Sequence, residues 1–315
     1  MVGAVTVTER EEIVRPAEQS RARYPDAEDY VERDGVRIFY EVYGEGEPPI
    51  LFLPTWTLVH SRVWKMQIPY FARRHRVIVF DPRGNGKSDR PAEVGAYAEA
   101  EFAQDAVDVL DATGTDAAVI VSLSLGAQRA LLLAAEHPER VAAAVFIGPW
   151  FPASPLGGLR WRIMAHPRMQ PLYNRPPLVA KSWGKVNPHY FQTDYRDFVE
   201  WFVGKCTSQP HSTKGFEDMV EWGLETDGRT LALTVVADAA APVTRRDQLA
   251  LARRVRCPVM VICGTKDEVT PFADARALAT ATDGRLVPVP GGDHSVEARR
   301  PVVVNLAIRE FLEAL

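Results

Sequence analysis

The chain has 315 residues, of which 46% are apolar and 25% charged, and its formal net charge is -4. That size and balance fit one large globular domain, or one domain carrying a sizeable insertion, and exclude a fibrous or disordered body. The slight acidity points away from general nucleic-acid binding. Three cysteines without C-x-x-C spacing (Cys206, Cys257, Cys263) read as free thiols, not as a disulfide framework or a zinc site. No apolar run is long enough to span a membrane, and charge interrupts the N-terminal residues before a signal region can form, so a cytoplasmic location is expected.

Residues 1–28, rich in Glu, Arg, Pro and Ala, read as a solvated arm. Alternation from Tyr30 to Tyr43, interrupted at Asp34-Gly35, predicts a β-hairpin. Strand and helix patterns then alternate: a strand over Pro49–Leu53, a helix over Ser61–Arg74, a strand over Arg76–Phe80 and a helix over Tyr97–Ala112 that stops at Gly114. A strand over Ala117–Val121 and a helix over Leu125–Glu136 follow. The continuous apolar runs Val141–Ile147 and Pro258–Cys263 suit strands covered on both faces of a parallel sheet. A strand over Arg285–Val289 and an amphipathic helix over Val302–Leu315 close the chain. Between Gly148 and about Arg256 the alternation stops, and residues 149–256 read as an inserted helical cap with a return segment, dividing the core into 29–148 and 257–315.

The junction Val121-Ser122-Leu123-Ser124-Leu125-Gly126-Ala127 carries the strongest chemical signal. A strand that turns at once into a helix through small-x-Ser-x-Gly is a nucleophile elbow, which holds a hydroxyl clear of the sheet above a helix N-terminus. Two serines compete for that place. Ser124 leaves the small residues Ser122 and Gly126 at the two crowded positions, whereas Ser122 would put Ile120 at one of them, so Ser124 is the candidate. A serine hydroxyl needs a base to take its proton and an acid to orient that base. Asp267, favoured over its rivals Glu268, Asp293 and Glu297 by its place directly after the strand ending at Cys263, and His294, in the loop after the last strand, supply both at the sheet edge where ligands of open parallel sheets gather.

With the order Ser, Asp, His, the segment Asp81-Pro82-Arg83-Gly84-Asn85-Gly86-Lys87-Ser88 (D-x-R-G-x-G-x-S) and the loop Gly264 to Pro271 (G-x-x-D), the chain resembles the α/β-hydrolase superfamily from about Asp29 to Leu315. The stretch from Pro54 through His60 to Trp64 is also similar to actinobacterial hydrolases and to hydrolase-like modules linked to cyclases or regulators. The resemblance implies an α/β fold with a mostly parallel eight-stranded sheet, helices on both faces and an inserted helical cap. It further implies a cofactor-free and metal-free serine hydrolase with Ser124, Asp267 and His294 as catalytic residues. Backbone N–H groups of Leu125 and Trp56 would form the oxyanion hole. The family's His-Gly at the start of the second donor's loop is replaced here by Pro54-Thr55, which predicts an unusual loop.

Aromatic surface in the cap would suit an apolar or aromatic ester, lactone or thioester. Trp56, His60, Trp150, Trp161 and Trp183 are the candidate substrate contacts, and the alternative for the tryptophans is the cap's own core. Residues 141–193 hold six cations (Arg160, Arg162, Arg168, Arg175, Lys181, Lys185) and no acid, a face that is either solvated or attractive to an anionic group. The expected partner is a small-molecule substrate, with neither nucleic acid nor membrane, for a monomer or homodimer. Rival readings are a ligand-binding or sensory protein on a hydrolase scaffold, and a non-hydrolytic acyltransferase or cyclase.

Overall fold

Asp34 and Gly35 both take positive φ, 53° and 76°, the left-handed pair that lets a two-residue turn follow the twist of its strands. Strand β1 (Ala27–Arg33) therefore folds back on β2 (Val36–Tyr43) with Arg33 opposite Val36. The hairpin begins at Ala27, so the last two residues assigned to the arm belong to the sheet. The computed structural model describes residues 23–153, 175–177, 180–210, 213–240 and 244–315.

The sheet continues through β3 (Ile50–Phe52), β4 (Val77–Phe80), β5 (Ala118–Leu123), β6 (Val141–Ile147), β7 (Val259–Gly264) and β8 (Arg285–Val289). Its eight strands lie in the order β1-β2-β4-β3-β5-β6-β7-β8, antiparallel at β1/β2 and β2/β4 and parallel elsewhere. Side chains alternate between faces with period two, and both faces are covered. Ile50, Phe52, Val79 and Val121 pack with Trp64, Phe71 and Ile308 on one side. Leu51, Leu53, Ile78 and Ile120 pack with Leu110, Leu131 and Leu278 on the other. This two-sided burial is why the central strands read as unbroken apolar runs.

Between β3 and β4 the expected helix over Ser61–Arg74 is replaced by a 3-10 turn (Ser61–Trp64) and a short helix α1 (Ile68–Phe71). Pro69 is the physical reason: lacking an N–H, proline is tolerated only in a helix's first turn, so the helix restarts around it. Helices α2 (Glu99–Ala112) and α3 (Gly126–Glu136) flank β5. Between β6 and β7 lie α4 (Pro188–Thr193), α5 (Tyr195–Cys206), α6 (Lys214–Leu224), α7 (Gly228–Ala240) and α8 (Arg245–Ala252). The last returns to the sheet, where Gln248 exchanges amide hydrogen bonds with Gln128 of α3 at 3.0 and 2.5 Å. Helix α9 (Phe272–Ala281), between β7 and β8, was not anticipated; its alanine-rich sequence shows little apolar periodicity, and it buries only Asp274, Ala275, Leu278 and Ala279. Helices α10 (Val296–Arg299) and α11 (Pro301–Leu312) end the fold. Cys206 and Cys263 are buried and Cys257 half-buried, all three as free thiols. Among the described residues no helix is long and apolar enough to cross a membrane.

Candidate active site

Strand β5 leads directly into Ser124 at φ 53°, a left-handed conformation unfavourable for a residue with a Cβ. The surroundings impose it. The Ser124 N–H donates to Ile147 O at 3.0 Å, and Ser124 O accepts from Ala127 N at 3.0 Å and Trp150 N at 2.9 Å. Ser122, in contrast, remains in the ladder opposite Phe146 and is fully buried, so Ser124 is the serine at the turn. The small neighbour is required as well: a Cβ on Gly126 would lie 2.8 Å from Pro54 O.

Asp267 and His294 meet beside the end of β6. The imidazole Nδ1 donates to Asp267 Oδ2 at 2.8 Å, with both side chains almost wholly buried. Asp267 Oδ1 accepts from the Val269 and Thr270 N–H groups, each at 2.8 Å, and the Thr270 hydroxyl lies 2.8 Å from Oδ2 and 3.1 Å from Gly148 O. The carboxylate is thus locked in one orientation, which fixes the imidazole tautomer with Nδ1 protonated and Nε2 free to act as a base. Burial alone would lower the proton affinity of His294. The charge and hydrogen bond of Asp267 outweigh it, Glu297 and Asp293 add to the effect, and the imidazole pKa stands above its ordinary 6.5. Gly148, at φ 46°, is the hinge of the arrangement: a Cβ there would approach Asp267 Oδ2 and His294 Nδ1 to 3.3 Å each. It directly follows Ile147, whose carbonyl holds Ser124, so all three candidate residues converge on one strand end.

The loop after β3 approaches the same place. Among the described residues, neither Leu125 N–H nor Trp56 N–H has a protein acceptor. Thr55 is not among the residues with positive φ, so the family's glycine has been replaced without left-handed strain.

A family profile described as "alpha/beta hydrolase fold" matches residues 48–296. The chain belongs to this family. Among curated relatives of this α/β-hydrolase-fold chain is a RutD protein of Azorhizobium caulinodans, 27% identical over 87% of the chain and 94% of the relative. A 3-oxoadipate enol-lactonase of Acinetobacter baylyi is 25% identical over 88% and 94%. Among solved structures, Est816, titled as an N-acyl homoserine lactone degrading enzyme, superposes with a TM-score of 0.70 at 27% identity, covering 90% of this chain and all of that one.

Of the proposed substrate contacts in this α/β-hydrolase-fold chain, Trp56 sends its indole into the cap. Its Nε1 donates to Thr234 Oγ1 at 2.8 Å, and its ring meets Phe191, Phe198 and Phe202 at centroid distances of 6.2, 6.0 and 5.2 Å. Trp183 joins the same aromatic run through an edge contact with Trp201 at 5.3 Å. Trp150 is half-buried beside Ser124. Trp161, like Arg160, Arg162 and Arg168, lies outside the described residues. Arg175 and Lys181 are exposed, and Lys185 pairs with Asp197. His60 is buried, with Nε2 3.2 Å from Glu225 Oε1. It lines a separate cleft of about 600 Å³ with Asp81, Arg62, Lys65, Trp222 and Glu225, a cleft whose lining includes none of Ser124, Asp267 and His294. Among the described residues no three His, Cys, Asp or Glu side chains are grouped to hold a metal ion.

Sequence reasoning missed Thr270, Gly148 and Arg129. The signal for Arg129 was a charge at the head of the apolar helical run Ala130–Ala135. Glu297 is fully buried, neither carboxylate oxygen has a hydrogen-bond partner, and burial raises its pKa from 4.5 to about 8. Between those values the unfolded chain releases this proton while the folded chain keeps it, so stability falls as pH rises across that window. Glu297→Gln, which copies the neutral acid, is expected to raise Tm by several degrees at pH 8 and to change it little at pH 5, as thermal melts at the two pH values would show.

Proposed function

We propose that this chain is a serine hydrolase that cleaves an ester, lactone or thioester of an apolar or aromatic small molecule through an acyl-enzyme. The observation that carries the reading is the buried Nδ1–Oδ2 contact of 2.8 Å between His294 and Asp267, beside a serine held at φ 53°. His294 Nε2 takes the Ser124 proton as Oγ attacks the carbonyl carbon. The N–H groups of Leu125 and Trp56 receive the negative charge that builds on the carbonyl oxygen. The imidazolium, stabilised by Asp267, then gives its proton to the departing alkoxide or thiolate. Water, deprotonated by the same imidazole, attacks the acyl-enzyme and releases the acid with Ser124 restored. A serine nucleophile also separates this reading from epoxide opening in the same fold, for which the superfamily uses an aspartate.

Two of the proteins similar to this chain, an enol-lactonase and a homoserine lactone degrading enzyme, are named for lactones, which supports hydrolysis of a carbonyl substrate. A lactone suits a site whose leaving group remains attached, because the acyl-enzyme must then be hydrolysed before the alkoxide returns. Treatment with a fluorophosphonate is expected to label Ser124 alone and to abolish p-nitrophenyl ester turnover in proportion. Tight ligand binding without labelling would overturn the reading in favour of a sensory protein. Transfer of most of the acyl group to an added alcohol, in place of water, would overturn it in favour of an acyltransferase.

A further inference from the structure

We infer that Arg129 is a positioning residue for the oxyanion hole, aiming the Trp56 N–H by holding the carbonyl on the other side of the same peptide group. The inference rests on the proposed role of Trp56. Arg129 sits on α3, one turn beyond the nucleophile elbow, and its side chain is 1% exposed, an unusual place for a guanidinium. Nη1 donates to Pro54 O at 3.1 Å and to Thr55 O at 2.5 Å. The rest of the group is held from behind: Nε donates to Glu99 Oε2 at 3.0 Å, and the guanidinium carbon stands 3.6 Å from the centroid of the Phe102 ring.

The consequence follows from peptide geometry. The only cis peptide bond among the described residues is Glu47–Pro48, so the Thr55–Trp56 unit is trans and planar, with its C=O and N–H pointing in opposite directions. Drawing Thr55 O onto the Arg129 guanidinium therefore turns the Trp56 N–H away from that guanidinium. Pro54 O is fixed in the same sense, since it lies so close to the α3 N-terminus that a Cβ on Gly126 would clash with it. The indole of Trp56, anchored to Thr234 of α7, holds the other side of the residue. In a loop that has lost the family's His-Gly, one buried fork does by hydrogen bonding what the conformational freedom of glycine does elsewhere.

Arg129→Met and Arg129→Lys are the variants, each checked for folding by circular dichroism. In a crystal structure of Arg129→Met the 55–56 peptide is expected to rotate, and on a p-nitrophenyl ester kcat is expected to fall by about 10² with KM held, the cost of losing one oxyanion donor. Arg129→Lys keeps a cation without the fork and is expected to fall by roughly ten-fold; it carries the test if the methionine variant fails to fold. Affinity for a boronic acid that mimics the tetrahedral intermediate should drop with kcat, while affinity for the product acid stays. A folded variant whose 55–56 peptide keeps its orientation overturns the inference, whatever its activity. A rotated peptide with unchanged kcat instead overturns the assignment of Trp56 as an oxyanion donor.

Discussion

Ser124→Ala is expected to lower kcat for an activated ester by about 10⁶-fold while leaving the fold intact, since removing the nucleophile of a serine triad leaves only binding and oxyanion stabilisation. Loss of Oγ removes one atom from a half-buried position and touches none of the backbone bonds that Ser124 makes to Ile147, Ala127 and Trp150. A second substitution separates chemistry from strain. Ser124→Gly should be as inactive as Ser124→Ala, but glycine adopts φ 53° without a steric penalty, so it should unfold at higher temperature, by about 1 kcal/mol of stability or more. Retained turnover in either variant, after exclusion of contaminating esterase by fluorophosphonate pretreatment, would remove Ser124 from the mechanism. Equal melting temperatures for the alanine and glycine variants would show that the turn stores no strain.

How far the chain could be read without coordinates depended on the range of the forces involved. The sheet was legible because its strands are buried on both faces, so Val77–Phe80, Val141–Ile147 and Val259–Gly264 stand out as apolar runs bounded by polar residues. The elbow was legible because the two crowded positions admit only small side chains, and the close approach of Pro54 O to Gly126 is the physical content of that rule. Asp267 could be placed by its position immediately after a strand. Helix α9 went unseen because five alanines among ten residues blur the apolar period. The support of the site was hidden for another reason: Thr270 and Arg129 act through hydrogen bonds to backbone groups distant in the chain, and a carbonyl such as Thr55 O has no signature in the sequence. The tryptophans show the same limit. Their number marked an aromatic cap, but only packing distinguishes the ring of Trp56, committed to Phe198 and Phe202, from one that faces a substrate.

Asp267→Asn should cost about 10⁴-fold in kcat, nearly all of it through the wrong imidazole tautomer. The substituted amide keeps its oxygen where Oδ1 now accepts from the Val269 and Thr270 N–H groups, because those two donors at 2.8 Å leave no place for an NH₂. The amide nitrogen then takes the position of Oδ2, facing His294 Nδ1, and donates to it. Nδ1 becomes an acceptor, the ring proton moves to Nε2, and the base can no longer accept the proton of Ser124. The pH profile provides an independent measure. On the proposed mechanism the active form carries neutral His294 and activity rises with pH through the imidazole pKa; because that value is raised above 6.5, the acid limb of kcat/KM should lie above pH 6.5. Removing the carboxylate removes the charge and the hydrogen bond that raise it and leaves burial, which lowers it, so the acid limb of the residual activity should move to lower pH. Thr270→Val, which deletes one donor to Oδ2 and leaves the charge, should cost far less. An acid limb that stays in place in Asp267→Asn would mean that the titrating group is not His294, and the proton transfer drawn through that imidazole would have to be abandoned.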